Sequence, residues 1–198
     1  MKIYLVRHAS TPWNELGLWQ GVVDTELSEK GIREAKSVAE FFKSKKVDLI
    51  FSSPMKRALQ TAQIIAQEID YKGELLIDNR LRECEIQLWN GMTTEELLKI
   101  YHNEFLEWFN NLDSNLNGVE SLKSVQKRMY DFVEHLILQF PVDGVIIVSH
   151  AIALRMLVSK VLGITPPNHV NFSLDNASVT ILENNSQKFR VTLLNWKT

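Results

Sequence analysis

A chain of 198 residues has room for a real hydrophobic core, and 45% hydrophobic with 23% charged residues is an ordinary globular balance. The formal net charge of −2 excludes a global pull toward nucleic acid or an anionic membrane, so any anion site must be a local cluster of cations. The single cysteine, Cys84, excludes an intrachain disulfide and fits a reducing compartment.

Residues 2–7 carry the apolar, mostly β-branched run Ile3-Tyr4-Leu5-Val6, which stops at Arg7-His8. Such runs read as buried strands of a parallel sheet. Residues 8–27 look like an ordered loop broken by Pro12, Asn14, Gly17 and Gly21, with Trp13 and Trp19 to bury. Ser28 is a candidate N-cap for a helix carrying Ala35, Val38, Ala39 and Phe42. Val47–Phe51 predicts a second strand. Ser53 then reads as an N-cap with Pro54 at the first helical position, and Ala58, Ala62 and Ile65 as the buried stripe. Leu75–Ile77 predicts a short third strand.

Thr93–Tyr101 and Glu104–Phe109 predict helices within the otherwise turn-rich segment 81–118, and Ser121 opens a long helix through Leu136. Val145-Ile146-Ile147-Val148 repeats the first pattern, running into Ser149-His150, and a helix follows from Ala151 to Leu162. Val179–Leu182 and Phe189–Leu194 flank Asn184-Asn185-Ser186 and predict a terminal hairpin. Alternating strands and helices predict an α/β sheet covered on both faces, made mixed by the closing hairpin. The chain has no linker or low-complexity stretch, so one domain over 1–198 is expected, with residues 84–118 as a small pocket-covering segment. The four-residue apolar run before Arg7 is too short for a signal peptide, and no run reaches the roughly 18 apolar residues of a membrane helix. A cytoplasmic protein is expected.

Ligands of open α/β sheets bind at the carboxyl ends of strands. Arg7-His8, Arg57, Arg82-Glu83 and Ser149-His150 all fall at predicted strand ends or helix starts. Arginine forks and helix N-termini suit phosphate oxygens. A neutral imidazole among them can attack phosphorus, and a carboxyl group can protonate the departing oxygen. Glu85 shares the face of Glu83 if the segment is extended, and residue chemistry leaves the two open. His102, His135 and His169 have no partner at metal-ligand spacing and read as structural or surface groups.

The ordered set Arg7-His8-Ala9-Ser10-Thr11-Pro12-Trp13-Asn14, Gln20-Gly21, Leu27-Ser28, Gly31, Ser52-Ser53-Pro54-Met55-Lys56-Arg57-Ala58, Thr61-Ala62, Leu81-Arg82-Glu83, Gly118-Val119-Glu120-Ser121 and Val148-Ser149-His150 resembles the histidine phosphatase superfamily, also called the phosphoglycerate-mutase-like family. The resemblance spans nearly the whole chain. It implies a three-layer α/β/α sandwich around a mostly parallel mixed sheet, and no metal or other cofactor. It implies His8 as phosphorylated nucleophile, Arg7, Arg57 and His150 as phosphoryl ligands, Glu83 as proton donor and Asn14 as accessory phosphate ligand. Thr11, Gln20, Gly21 and Ser121 are implied near the pocket. The implied partner is a small phosphorylated metabolite with inorganic phosphate as product. A monomer or homodimer is expected, with no nucleic acid or membrane.

The chain departs from the family pattern at Ala9 and Ala151, where glycine is usual after each histidine, at Val119, and in the run Ile86-Gln87-Leu88-Trp89-Asn90-Gly91. Cofactor-dependent mutases of the family carry a longer insertion with basic residues after the glutamate. Here Glu83 and Gly118 are only 118 − 83 = 35 positions apart, with Lys99 and His102 the only basic residues between Cys84 and Asn117. The expected activity is therefore phosphatase, with mutase and a catalytically silent phosphate-ester-binding protein as alternatives. The segment from Ser149-His150 to Asp175-Asn176-Ala177-Ser178 also resembles metal-independent phosphoserine phosphatases, although residues 84–90 lack the histidine expected of them.

Overall fold

A computed structural model describes residues 1–185 and 188–197. Its six-stranded sheet comprises β1 (Lys2–Arg7), β2 (Leu49–Ser52), β3 (Leu75–Ile77), β4 (Gly144–Ser149), β5 (Val179–Asn185) and β6 (Lys188–Trp196), in the order β3-β2-β4-β1-β5-β6. The β1–β4, β4–β2 and β2–β3 pairings are parallel, whereas β5 runs antiparallel to both β1 and β6. The predicted hairpin strands are thus present, and Ser186 of the predicted turn lies outside the described residues.

Side chains alternate across a strand, so each central strand feeds two cores. Ile3, Leu5, Val145 and Ile147 face α6 (Leu122–Gln139) and α7 (Ala151–Leu162), packing with Met129, Phe132, Val133 and Leu157. Tyr4, Val6, Ile146 and Val148 face α2 (Glu29–Phe42) and α3 (Lys56–Glu68), packing with Ala35, Val38, Phe42, Ala62 and Ile65. All six residues of β4 are buried, which explains its unbroken apolar run. The mixed three-layer fold agrees with expectation.

Three local readings change. Residues 8–27 include a short helix, α1 (Pro12–Glu15), closed by reciprocal bonds between Thr11 and Asn14. The second strand is Leu49–Ser52 rather than Val47–Phe51. Helix α3 begins at Lys56, not Pro54, because Asp24 Oδ1 accepts the Lys56 N–H (2.7 Å) and takes the capping role expected of Ser53. The segment 84–118 carries α4 (Thr94–Ile100) and α5 (His102–Asn110). Trp89, Phe105 and Trp108 pack edge-on or tilted against Trp19 and one another there. Among the described residues, no helix is long and apolar enough to cross a membrane.

Candidate active site

The parallel β1–β4 register sets Arg7 beside Ser149, so both strands end at the same level. The His8 N–H continues the ladder onto the Ser149 carbonyl (2.9 Å), and the two imidazoles lie 5.1 Å apart between centroids. Ser149 Oγ donates to the Leu81 carbonyl (2.8 Å), which draws the Arg82-Glu83 segment to the same sheet edge. Helix α3 brings Arg57 from the neighbouring strand connection, its side chain only 1% exposed as a residue.

His8 Nδ1 lies 2.8 Å from the Ala9 carbonyl oxygen, which can only accept, so Nδ1 carries the ring proton. Nε2 keeps its lone pair, and Arg57 Nε donates to it over a long 3.3 Å. Burial pushes the His8 pKa well below its usual value, and Arg57 and Arg7 push it further. The imidazole is therefore neutral at physiological pH. Burial, then Arg57 and His8, lower the His150 pKa in the same direction.

Each arginine is tethered to main chain. Arg57 Nη1 and Nη2 donate to the carbonyls of Val23 and Gly21, both at 2.7 Å, and Arg7 Nη1 donates to the Leu174 carbonyl at 2.7 Å. Burial lowers both guanidinium pKa values to about 10, against the opposing pull of Glu83, which leaves both charged at neutral pH. Gly21 has φ +48°, and a Cβ there would collide with the Ile86 side chain, so glycine is required where its carbonyl holds Arg57.

The Glu83 carboxylate sits at the α7 N-terminus. It accepts the N–H groups of Ile152 (3.1 Å), Ala153 (3.0 Å) and Cys84 (2.9 Å). Arg128 braces the segment from behind: its guanidinium donates to the carbonyls of Arg80, Arg82 and Glu83 and pairs with Glu120. The rival carboxylate Glu85 instead accepts from Gln87 Nε2 (2.8 Å) and does not line the cavity.

These groups surround a cavity of about 330 Å³ lined by Arg7, His8, Asn14, Gln20, Gly21, Arg57 and Glu83, together with Trp19, Ile86, Ile152, Arg155 and Asn176. Asn14 Oδ1 accepts from the Thr11 N–H (3.1 Å) and Asn176 Nδ2 (3.2 Å), which orients its amide. Thr11 and Ser121 do not line the cavity. Thr11 is fully buried and binds Gln20 Oε1 (3.1 Å), while Ser121 caps α6. His150 is fully buried and does not line the cavity either; its ring lies beside His8, with Nε2 2.7 Å from Ser53 Oγ and Nδ1 buried without a partner. Ser53 Oγ also accepts the Met55 N–H (3.3 Å), so its own proton is free for the imidazole.

Ser53, Arg128, Arg155 and Asn176 lie outside the candidate set read from the sequence. Asn176 Nδ2 also donates to the His8 carbonyl (3.0 Å). Its place in the Asp175-Asn176-Ala177-Ser178 turn beside β5 was the available signal. His169 is buried against the Phe109 ring (4.8 Å between centroids), and burial drops its pKa to about 4. Cys84 is buried, which pushes its thiol pKa well up, with Glu83 adding to the shift. Among the described residues, no group of three His, Cys, Asp or Glu side chains could hold a metal ion.

The chain is 33% identical over 196 residues to phosphoserine phosphatase 1 of Hydrogenobacter thermophilus, covering 98% of this chain and 92% of that protein. It is 32% identical over 169 residues to a phosphoglycerate mutase of Schizosaccharomyces pombe, covering 82% and 80%. Its fold matches the solved structure of a mutant phosphoserine phosphatase from Entamoeba histolytica in complex with phosphoserine, with a TM-score of 0.87 and 29% identity over 98% of this chain and 96% of that one. The model of the histidine phosphatase superfamily (branch 1) matches residues 3–197, and the chain belongs to that superfamily.

Proposed function

We propose that this protein is a phosphomonoesterase that hydrolyses small phosphorylated metabolites through a phosphohistidine on His8. The carrying observation is the His8 tautomer: Nδ1–H is committed to the Ala9 carbonyl, and the free Nε2 faces the Arg57 guanidinium inside a buried cationic site. Nε2 attacks phosphorus, the bond to the ester oxygen breaks, and Glu83 gives that oxygen a proton. Water then attacks the phosphohistidine, Glu83 takes its proton, the N–P bond breaks, and inorganic phosphate leaves.

Arg7 and Arg57 meet the phosphoryl oxygens with the N–H donors that their main-chain tethers leave over, and Asn14 adds an amide donor. Gln20 and Gly21 support the same wall, while Thr11 acts through Gln20 and Asn14. The Ser53 hydroxyl donates a hydrogen bond to His150 Nε2, which keeps the ring proton on His150 Nδ1 as a phosphoryl donor. Charge stabilisation by these cations suffices without a metal. The buried, unpaired Cys84 fits a cytoplasmic setting, and we take 1–198 as one domain in which 84–118 covers the pocket. It acts as a monomer or homodimer, apart from nucleic acid and membrane.

Identity to a phosphoglycerate mutase keeps phosphoryl return to a second hydroxyl as the other reading. Against it, Lys99 and His102 are the only basic residues between Cys84 and Asn117, and neither lines the cavity. A phosphomonoester panel in EDTA, scored for phosphate release and for conversion of 3-phosphoglycerate to 2-phosphoglycerate, tests this. Phosphate release without isomerisation is expected. Faster isomerisation than release supports a mutase, and ester binding without turnover supports a silent binder.

A further inference from the structure

Arg155 stands on α7 one turn beyond Ile152, the residue whose N–H holds Glu83 Oε2 at 3.1 Å. It lines both the catalytic cavity and a small adjoining cleft of about 20 Å³ formed with Trp19, Trp108, Phe109 and His169. Arg7 and Arg57 are tied to main-chain carbonyls through their Nη atoms, and Arg155 has no such tether; its Nε, like that of Arg7, is buried without a partner. Among the described residues, no hydrogen bond or ion pair reaches its guanidinium. Burial lowers its pKa against the opposing pull of Glu83, and its charge is felt at Arg7 and His169. A half-buried, unpaired cation is costly to keep, and that cost is offset when an anion arrives.

Position and charge say which anion. In the proposed mechanism, Glu83 marks the side of the cavity where the alcohol departs. Arg155 joins that cavity to the aromatic cleft, whose lining contains neither Arg7 nor Arg57 nor either of the two imidazoles, His8 and His150. Three guanidinium groups, Arg7, Arg57 and Arg155, line the cavity with one carboxylate, Glu83. As proton donor Glu83 enters the reaction neutral, so two of the guanidiniums balance a phosphoryl dianion and one positive charge is left for the rest of the substrate. A single guanidinium matches a monoanionic carboxylate through two parallel bonds, and the aromatic cleft keeps water away from that pair.

We propose that Arg155 binds a carboxylate on the alcohol part of the substrate, so that the enzyme selects phosphate esters of small hydroxy acids. This rests on the phosphatase reading above. The residue determines specificity and takes no part in the proton or phosphoryl transfers.

The test compares kcat/KM within two matched pairs that differ in the carboxylate: 3-phosphoglycerate against glycerol 3-phosphate, and phosphoserine against phosphoethanolamine. The wild-type enzyme is expected to favour the carboxylate member of each pair by about 10- to 100-fold, the worth of one charge-assisted contact. Arg155→Met brings both ratios close to one, mainly through KM, and Arg155→Lys retains part of the preference. Wild-type ratios near one overturn the proposal whatever the variants do, as do ratios that survive Arg155→Met. If Arg155→Met does not fold, Arg155→Gln replaces it with the same expectation. A bisphosphate preferred over 3-phosphoglycerate also overturns it. Failure to release phosphate from all four esters while p-nitrophenyl phosphate is hydrolysed contradicts this proposal alone; failure on p-nitrophenyl phosphate as well contradicts the phosphatase reading, and this proposal falls with it. Release with no carboxylate preference contradicts this proposal alone.

Discussion

At one end of the cavity, Arg7 and His8, with the fully buried His150 beside them, stand on or next to the last residues of β1 and β4, two strands paired in register from Lys2↔Gly144 to Arg7↔Ser149. At the other end, Trp19, Ile86 and Arg155 come from a loop, the 84–118 segment and a helix, with aromatic contacts between distant parts of the chain. A ladder fixes each residue through main-chain bonds that do not depend on side-chain identity. A packed wall depends on every ring that fills it. The phosphoryl end can therefore keep its geometry while the alcohol end changes what it accepts.

The sharpest way to break this division is at His8. His8→Asn is expected to lower phosphate release by about four orders of magnitude or more in a steady-state assay, because it removes the attacking atom. A loss below about tenfold would place the chemistry elsewhere. Glu83→Gln comes next, with an expected loss of about 10²- to 10⁴-fold for alkyl phosphates. The loss should be far smaller for p-nitrophenyl phosphate, whose leaving group needs little protonation. Equal losses for the two substrates would remove Glu83 from the proton-donor role.

Both ends also bury histidines. His8, His150 and His169 all have pKa values lowered by burial, so the unfolded chain takes up protons that the folded one refuses. Stability is thus full above pH about 6.5 and falls below it, each histidine removing about 1.4 kcal/mol per pH unit until its own folded pKa is reached. Urea midpoints measured from pH 7.5 to 5 should drop steeply, and His169→Phe should flatten the slope by about a third at the wall end alone. A flat profile would contradict the buried neutral state. Ser53→Ala, the mildest change, is expected to cost about tenfold in kcat, the worth of one hydrogen bond, by releasing the His150 tautomer. Ser53→Thr should recover most of it. An unchanged kcat would reduce Ser53 to a turn residue.

The same division explains what the sequence could tell. Arg7, His8, Arg57, Glu83 and His150 were legible because each lies where an apolar run or helix stripe begins or ends, and because together they resemble a family's ordered motifs. The buried strands β1 and β4 followed from their unbroken apolar runs, and the buried face of α2 from a period of 3.6 residues. The start of α3 was misread because its cap comes from Asp24, thirty-two residues away in the chain, and this tertiary bond outranked the local Ser53-Pro54 signal. The family-like segment Gly118-Val119-Glu120-Ser121 gave Ser121 as a residue near the pocket, but Ser121 caps α6, and Glu120 pairs with Arg128, which braces Glu83 from outside the cavity. Arg155 carried no local signal: a lone arginine in the apolar α7 sequence reads as a surface charge until the fold sets it beside Glu83.

The central claim is that phosphate passes through His8. Rapid quenching of the enzyme with a ³²P-labelled phosphomonoester tests it most directly. The account predicts a protein-bound label that is stable in alkali, lost in acid, formed fast enough to match turnover, and absent from His8→Ala. A label of the same stability that persists in His8→Ala, or full turnover by that variant, would contradict it.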